Sequence, residues 1–269
     1  MKYLIRIAFS GGAFYGTQRQ KNHPTIQGVF EEKLSRIYNT PVAVTISSRL
    51  DRFVSALDFA MTFETDNTEI TPSHLCYYLE RCFSDDVVVK EVAPVPEDFS
   101  PRYDCRYKTY CYLVQNTERK NPLLSSLSYA PKGVLEVSKM KEALSLFQGE
   151  HDFRYFSTPE GGENTHLILD KTSLCENDGM LYLRFQSKAF LRYQVRFMVG
   201  AALLYAENKV TLATLASLLE GKESRYIKYK AEGKGLYLER IFYPLLDQNK
   251  NEEEFPSVFF KDTGKTDII

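Results

Sequence analysis

The feature that most constrains this chain is the order of its segments, because one pattern of strand and helix periodicity is met twice. Residues 2 to 9 alternate apolar and polar as a strand does, and Thr25 then stands as a helix cap before Ile26, Val29, Phe30, Leu34 and Ile37 at helical spacing. Strands are expected at about 42 to 48 and 56 to 64, a helix from near Pro72 to Phe83, and a strand at 87 to 92. The order is βαββαβ. After the link Pro94-Val95-Pro96, a strand at about 107 to 115 leads to a helix capped by Ser138, with Met140, Leu144 and Phe147 inward. Strands at about 166 to 175 and 180 to 188 flank Glu176-Asn177-Asp178-Gly179, where Asp-Gly signals a hairpin. Helices near 191 to 207 and 211 to 220 precede a last strand at 236 to 243. The second half repeats the first with one extra helix.

Such a pattern predicts an α+β chain of two ferredoxin-like, RRM-like halves, at 1–105 and 106–245, followed by a charged, mobile tail at 246–269. Joined edge to edge, two antiparallel sheets with helices on one face leave the opposite faces as one long concave surface, suited to folded nucleic acid. A net charge of -1 excludes a uniformly basic coat, so any hold on phosphates must be local. One such patch exists. From Arg184 to Arg240 there are eleven Lys and Arg against five Glu, a surplus that a merely solvated face could also carry.

Other chemistries are poorly supported. The start of the chain runs directly into a strand and no apolar run reaches membrane length, which predicts a cytoplasmic protein. Five cysteines without a Cys-x-x-Cys pair suit reduced thiols. His74 and Cys76, with Cys82 beyond, fall on a helix at a spacing that does not share a face, which disfavours zinc. His151-Asp152 reads as a turn after Gly149. There is no Ser-His-Asp set, phosphate loop or dinucleotide fingerprint.

One short segment is richer. Ser47-Ser48-Arg49-Leu50-Asp51-Arg52-Phe53 sits between two expected strands and holds one carboxylate between two arginines. The arginines favour the ionised form and supply anion-binding groups, as a nucleophile working on a phosphate-bearing substrate requires. A solvated loop has the same composition.

Several ordered segments resemble the tRNA pseudouridine synthase A family. Residues Phe9 to Gln20 are similar to its Y-D-G-x-x-F-x-G-W-Q-x-Q, matching at Gly11, Phe14, Gly16, Gln18 and Gln20. Thr25-Ile26-Gln27 with Glu31, Asp98 to Tyr103, Tyr110-Cys111-Tyr112, Gly149 to Phe153, Phe190 to Gly200 and Gly235 to Leu238 resemble later motifs in the same order. The loop aligns with the family's catalytic G-R-T-D-A-G-V-H-A and reads Ser48-Arg49-Leu50-Asp51-Arg52-Phe53-Val54-Ser55-Ala56, without its glycines, threonine and histidine. Phe53 in place of glycine is expected to change the loop path or block part of the pocket.

The resemblance implies conversion of uridine to pseudouridine in the tRNA anticodon stem-loop, with Asp51 as nucleophile and no metal or organic cofactor. It implies substrate contacts from Tyr110, which would stack on the flipped base, and from Arg49, Arg196, Arg52, Arg102 and Gln18, with Arg196 also pairing with Asp51. Family members are homodimers that hold tRNA in basic clefts. The altered loop supports a second expectation, a catalytically degenerate paralogue that binds or folds RNA.

Overall fold

A computed structural model describes residues 1–222 and 229–248. It is an α+β chain that divides into two compact units. One unit is Met1–Arg106 with the chain's return from Tyr237; the other is Tyr107–Leu236.

In the first unit, β1 (Lys2–Phe9) is paired on both sides, antiparallel to β3 (Ser55–Glu64) and to β4 (Val87–Val95). Successive residues of β1, which point to opposite faces of the sheet, are buried, and this explains its largely apolar run, of which Leu4, Ile5 and Ile7 are fully buried. The other edge of β3 is shared. The short β2 (Val44–Ile46) runs antiparallel beside Met61 to Phe63, and β10 (Leu236–Phe242) runs parallel beside Ser55 and Ala56. The closing strand, read from the sequence as the end of the second half, thus pairs next to the start of β3.

Helix α1 (Ile26–Tyr38) begins at Thr25, whose side chain accepts a hydrogen bond from the Gly28 amide. Its buried residues Ile26, Phe30, Leu34 and Tyr38 recur at four-residue steps, and Asn39 ends it in the left-handed conformation. Glu31 on the same face is buried and accepts from the Val44 amide (3.0 Å), tying the helix to the start of β2. Helix α2 (Pro72–Arg81) packs on β4 and ends two residues short of the expected Phe83.

Below β10, Arg6 of β1 is buried among acids. Its guanidinium meets Asp247 at 2.6 Å, Asp58 of β3 at 3.0 Å and Glu91 of β4 at 3.7 Å. Burial works against its charge, yet Asp58 and Asp247 outweigh that and raise its pKa. Asp247, in the segment assigned to the tail, is therefore buried and held; residues 249–269 of that expected tail lie outside the described residues.

In the second unit, β5 (Tyr107–Gln115) pairs antiparallel with β9 (Met180–Ser187), which pairs antiparallel with β8 (Lys171–Asn177). The β8–β9 turn has φ of 47° at Asp178 and 72° at Gly179, the two positive values of a two-residue type I′ hairpin. The strand expected at 166 to 175 is two strands. Its first part, β7 (His166–Leu169), pairs with β6 (Gly149–Asp152), so His151 and Asp152 lie in a strand rather than a turn.

Helix α3 (Val137–Phe147) packs on β8 and against α4 (Gln194–Ala206) and α5 (Leu212–Leu219). Ser138 does not cap α3: Glu136 is the cap residue, and the Ser138 hydroxyl donates to its carboxylate. No described helix is long and apolar enough to cross a membrane.

Candidate active site

The Asp51 loop joins β2 to β3, and a second segment of the first unit grips it. Thr17, fully buried, accepts from the Leu50 amide (2.8 Å) through its hydroxyl, which donates to the Ser48 carbonyl (2.9 Å). Its own amide donates to the Leu50 carbonyl at 3.1 Å. The next contact lies at Gly11: its carbonyl accepts from the Phe53 amide (3.1 Å), and its amide donates to the Ser55 hydroxyl (3.0 Å). Thr17 and Ser55, two of the substituted motif positions, therefore carry the hydrogen bonds that fix the loop.

Two glycines make that approach possible. A Cβ on Gly11 would stand 2.3 Å from the Val54 carbonyl oxygen. Gly16 takes a φ of 88°, and a Cβ there would meet the Leu50 carbonyl oxygen at 2.6 Å. Between these props the Val54 amide turns back to the Asp51 carbonyl (3.2 Å). Leu50 and Val54 are buried beneath the turn, Asp51 is half-buried, and Arg49, Arg52 and Phe53 are exposed.

Phe53 has a φ of 69°. It holds the left-handed conformation that glycine would take freely, at a cost of roughly 1–2 kcal/mol for a residue with a Cβ. The ring does not fold inward: it is 45% exposed. The Arg52 guanidinium lies 4.5 Å from its centroid and 4.1 Å from that of Tyr15.

Of the other expected site residues in this unit, Gln18 follows Thr17 and is exposed. Arg102 lies on a separate turn after β4, exposed, with its guanidinium 5.3 Å from the Tyr103 ring.

The second unit holds the remaining two. Tyr110 on β5 is buried, and its ring meets Phe190 edge to face at 5.0 Å. Arg196 lies in the first turn of α4. Its Nε donates to the Ala231 carbonyl (2.7 Å), and its own carbonyl accepts from the Ala231 amide (3.0 Å). The 229–231 strap can lie so close because residue 200 is glycine: a Cβ there would be 1.9 Å from the Tyr229 carbonyl oxygen.

Tyr193, the cap residue of α4, also has a positive φ, 64°. Its ring gathers cations, with Lys230 Nζ at 3.6 Å, Arg192 at 4.9 Å and Arg196 at 5.6 Å from the centroid. Three of the eleven cations of 184–240 thus meet at one ring; Arg225 and Lys228 of that stretch lie outside the described residues.

Tyr112, two residues after Tyr110, is fully buried, and its hydroxyl donates to the Glu232 carbonyl (3.0 Å). Burial, with Tyr229 and Glu232 nearby, raises its pKa and keeps it neutral. Gly235 stands against its ring, where a Cβ would come within 2.8 Å.

Each matched segment thus has a local task in the fold, and the comparison with known proteins agrees. A family model described as tRNA pseudouridine synthase matches residues 6–104 and 143–244. The chain belongs to the tRNA pseudouridine synthase family. Among relatives of this family, tRNA pseudouridine synthase A of Aquifex aeolicus is 35% identical over 239 residues, covering 89% of this chain and 98% of the relative. The protein of the same name from Staphylococcus aureus strain MRSA252 is 33% identical over 257 residues, 95% of this chain and 96% of the relative. The pseudouridine synthase motifs, and the departures from them at positions 17 and 55, were visible in the sequence, but the contacts made by Thr17, Ser55, Tyr15 and Tyr193 were not read there. Nothing in their residue types marks them: they matter through hydrogen bonds and ring contacts with distant segments.

Proposed function

We propose that this member of the family isomerises uridine to pseudouridine in the anticodon stem-loop of tRNA, with Asp51 as the nucleophile. The observation that carries this reading is the grip on the Asp51 turn. Thr17, Gly11 and Ser55 hold the loop in a defined path although its glycines, threonine and histidine have been replaced. A loop with no remaining task would not need a strained, left-handed Phe53.

In this reading the uridine is turned out of its stack and the Asp51 carboxylate takes part in breaking the C1'–N1 bond. The uracil rotates, C5 bonds to C1', and the C5 proton leaves while N1 gains one. Product and substrate have the same composition, so the reaction needs no net oxidant or reductant. Tyr110 stacks on the flipped base, with its hydroxyl available to move a proton, and Arg196 pairs with Asp51 and fixes its orientation. Arg49 follows the RNA backbone or fills the space left by the base, and Arg52, Arg102 and Gln18 contact the RNA. We place the enzyme in the cytoplasm as a homodimer, with the cations around Tyr193 among its phosphate contacts.

The test is a map of the product. Full-length protein is incubated with tRNA transcripts, and pseudouridines are located by carbodiimide modification and primer extension. New stops within the anticodon stem-loop, absent with Asp51→Asn, are the expected result. Salt-dependent tRNA binding without any new stop would overturn the enzymatic reading and leave the RNA-binding paralogue.

A further inference from the structure

Four flat groups of the first unit lie each against the next beside Asp51. The His23 ring stacks on Tyr15 at 4.2 Å and 12°; the Arg52 guanidinium is 4.1 Å from the Tyr15 centroid and 4.5 Å from that of Phe53. These separations approach those of stacked bases. Tyr15 is held at the backbone, its amide donating to the Pro24 carbonyl (2.8 Å) and its carbonyl accepting from Gln20 Nε2 (2.7 Å). The terminal ring is 45% exposed, so it does not serve as core.

We propose that Phe53, backed by Arg52, Tyr15 and His23, is a stacking platform for an unpaired nucleobase flanking the target uridine, and that it sets which sequence contexts this enzyme accepts. The proposal rests on the reading of the Asp51 loop as an RNA site. Three observations carry it. Phe53 keeps a left-handed backbone that glycine would adopt without strain, so the ring is retained against a conformational penalty. Asp51 lies two residues from it on the same turn, so the ring and the proposed nucleophile share one loop. Its support is a cation in a run that also exposes Arg49, a combination of ring and positive charge that suits a base with its phosphate. An apolar partner peptide would gain nothing from Arg49 and Arg52.

Binding of a short single-stranded RNA with 2-aminopurine next to a uridine tests the platform without relying on turnover. Phe53→Gly and Phe53→Asn both accept the backbone conformation and remove the ring, whereas Phe53→Tyr keeps it. The proposal expects binding about tenfold weaker and loss of 2-aminopurine quenching for Gly and Asn, and near wild-type values for Tyr. Tyr15→Leu, which removes the ring behind Arg52, should follow the weak pair. Unchanged binding and quenching in Phe53→Gly and Phe53→Asn would overturn it, as would equal loss in Phe53→Tyr. If the ring dependence is found but wild type forms no pseudouridine in any tRNA, base stacking on Phe53 stands while the synthase reading falls, and with it the role in choosing context; the reverse pattern sinks the platform alone.

Discussion

Gly11→Ala should disable the enzyme while leaving it folded. The added Cβ would lie 2.3 Å from the Val54 carbonyl oxygen, 2.4 Å from its carbon and 2.6 Å from the Phe53 carbon, where ordinary contact begins at 3.4 Å. All three are backbone atoms, so no side-chain rotation relieves the clash, and the two segments must separate by about 1 Å in a site otherwise packed to contact. That movement strains both hydrogen bonds that join them, Phe53 amide to Gly11 carbonyl and Gly11 amide to Ser55 hydroxyl. Overpacking of this kind costs about 1–3 kcal/mol of stability. Displacement of a reacting group by about 1 Å costs on the order of 100-fold in rate. Gly12→Ala is the matched control, since its nearest neighbour would be the Ser10 hydroxyl at 3.9 Å. Single-turnover pseudouridine formation, with circular dichroism and thermal melts, reads both effects. The reasoning fails if folded Gly11→Ala reacts within threefold of wild type, or if Gly12→Ala loses as much.

Three further outcomes follow from the packing. Arg6→Met removes the countercharge shared by buried Asp247 and Asp58 and should cost about 3–5 kcal/mol in urea unfolding; a loss below 1 kcal/mol would show that the network is idle. Gly200→Ala should push the Tyr229 carbonyl off α4, freeing the strap that accepts from Arg196 Nε, and weaken tRNA binding and turnover together; unchanged binding would refute the strap's role. Asp152 feels burial, which raises its pKa, but the Thr165 hydroxyl, the Arg154 amide and guanidinium and His166 together lower it below the ordinary 3.8. The stability this carboxylate contributes is present above that value and is lost as pH falls through the lower folded one. Asp152→Asn should therefore be less stable by about 1–3 kcal/mol at pH 7, with the gap closing in strong acid; a gap independent of pH would contradict the assignment.

How far the fold could be read from sequence differs from element to element. Helix α1 was legible because the Thr25 cap and the apolar steps agree. The hairpin at Asp178-Gly179 was legible because its turn type requires those residues. Strand β6 was not: Gly149-Glu150-His151-Asp152 has no apolar alternation, and its pairing with His166–Leu169 is what makes it a strand. That pairing also breaks the run expected at 166 to 175, which leaves Asp170 between β7 and β8 with its amide on the Gln186 carbonyl. Ser138 looked like a cap by type, but its hydroxyl is engaged by Glu136. At the candidate site, the motif pointed to Asp51 while the intrinsic preferences of Phe argued against a left-handed turn. The grip of Gly11 and Thr17 on either side of the loop decides the backbone, and such long-range contacts leave no local signature.

Tritium release from tRNA transcripts labelled at uracil C5 tests the central claim most directly, because C5 loses its hydrogen only if the base is reattached there. Wild type should release tritium, while Asp51→Ala should bind the same tRNA and release none above background. Equal release by the two proteins, or none by wild type with any tRNA tested, would contradict Asp51 as the nucleophile of a tRNA pseudouridine synthase.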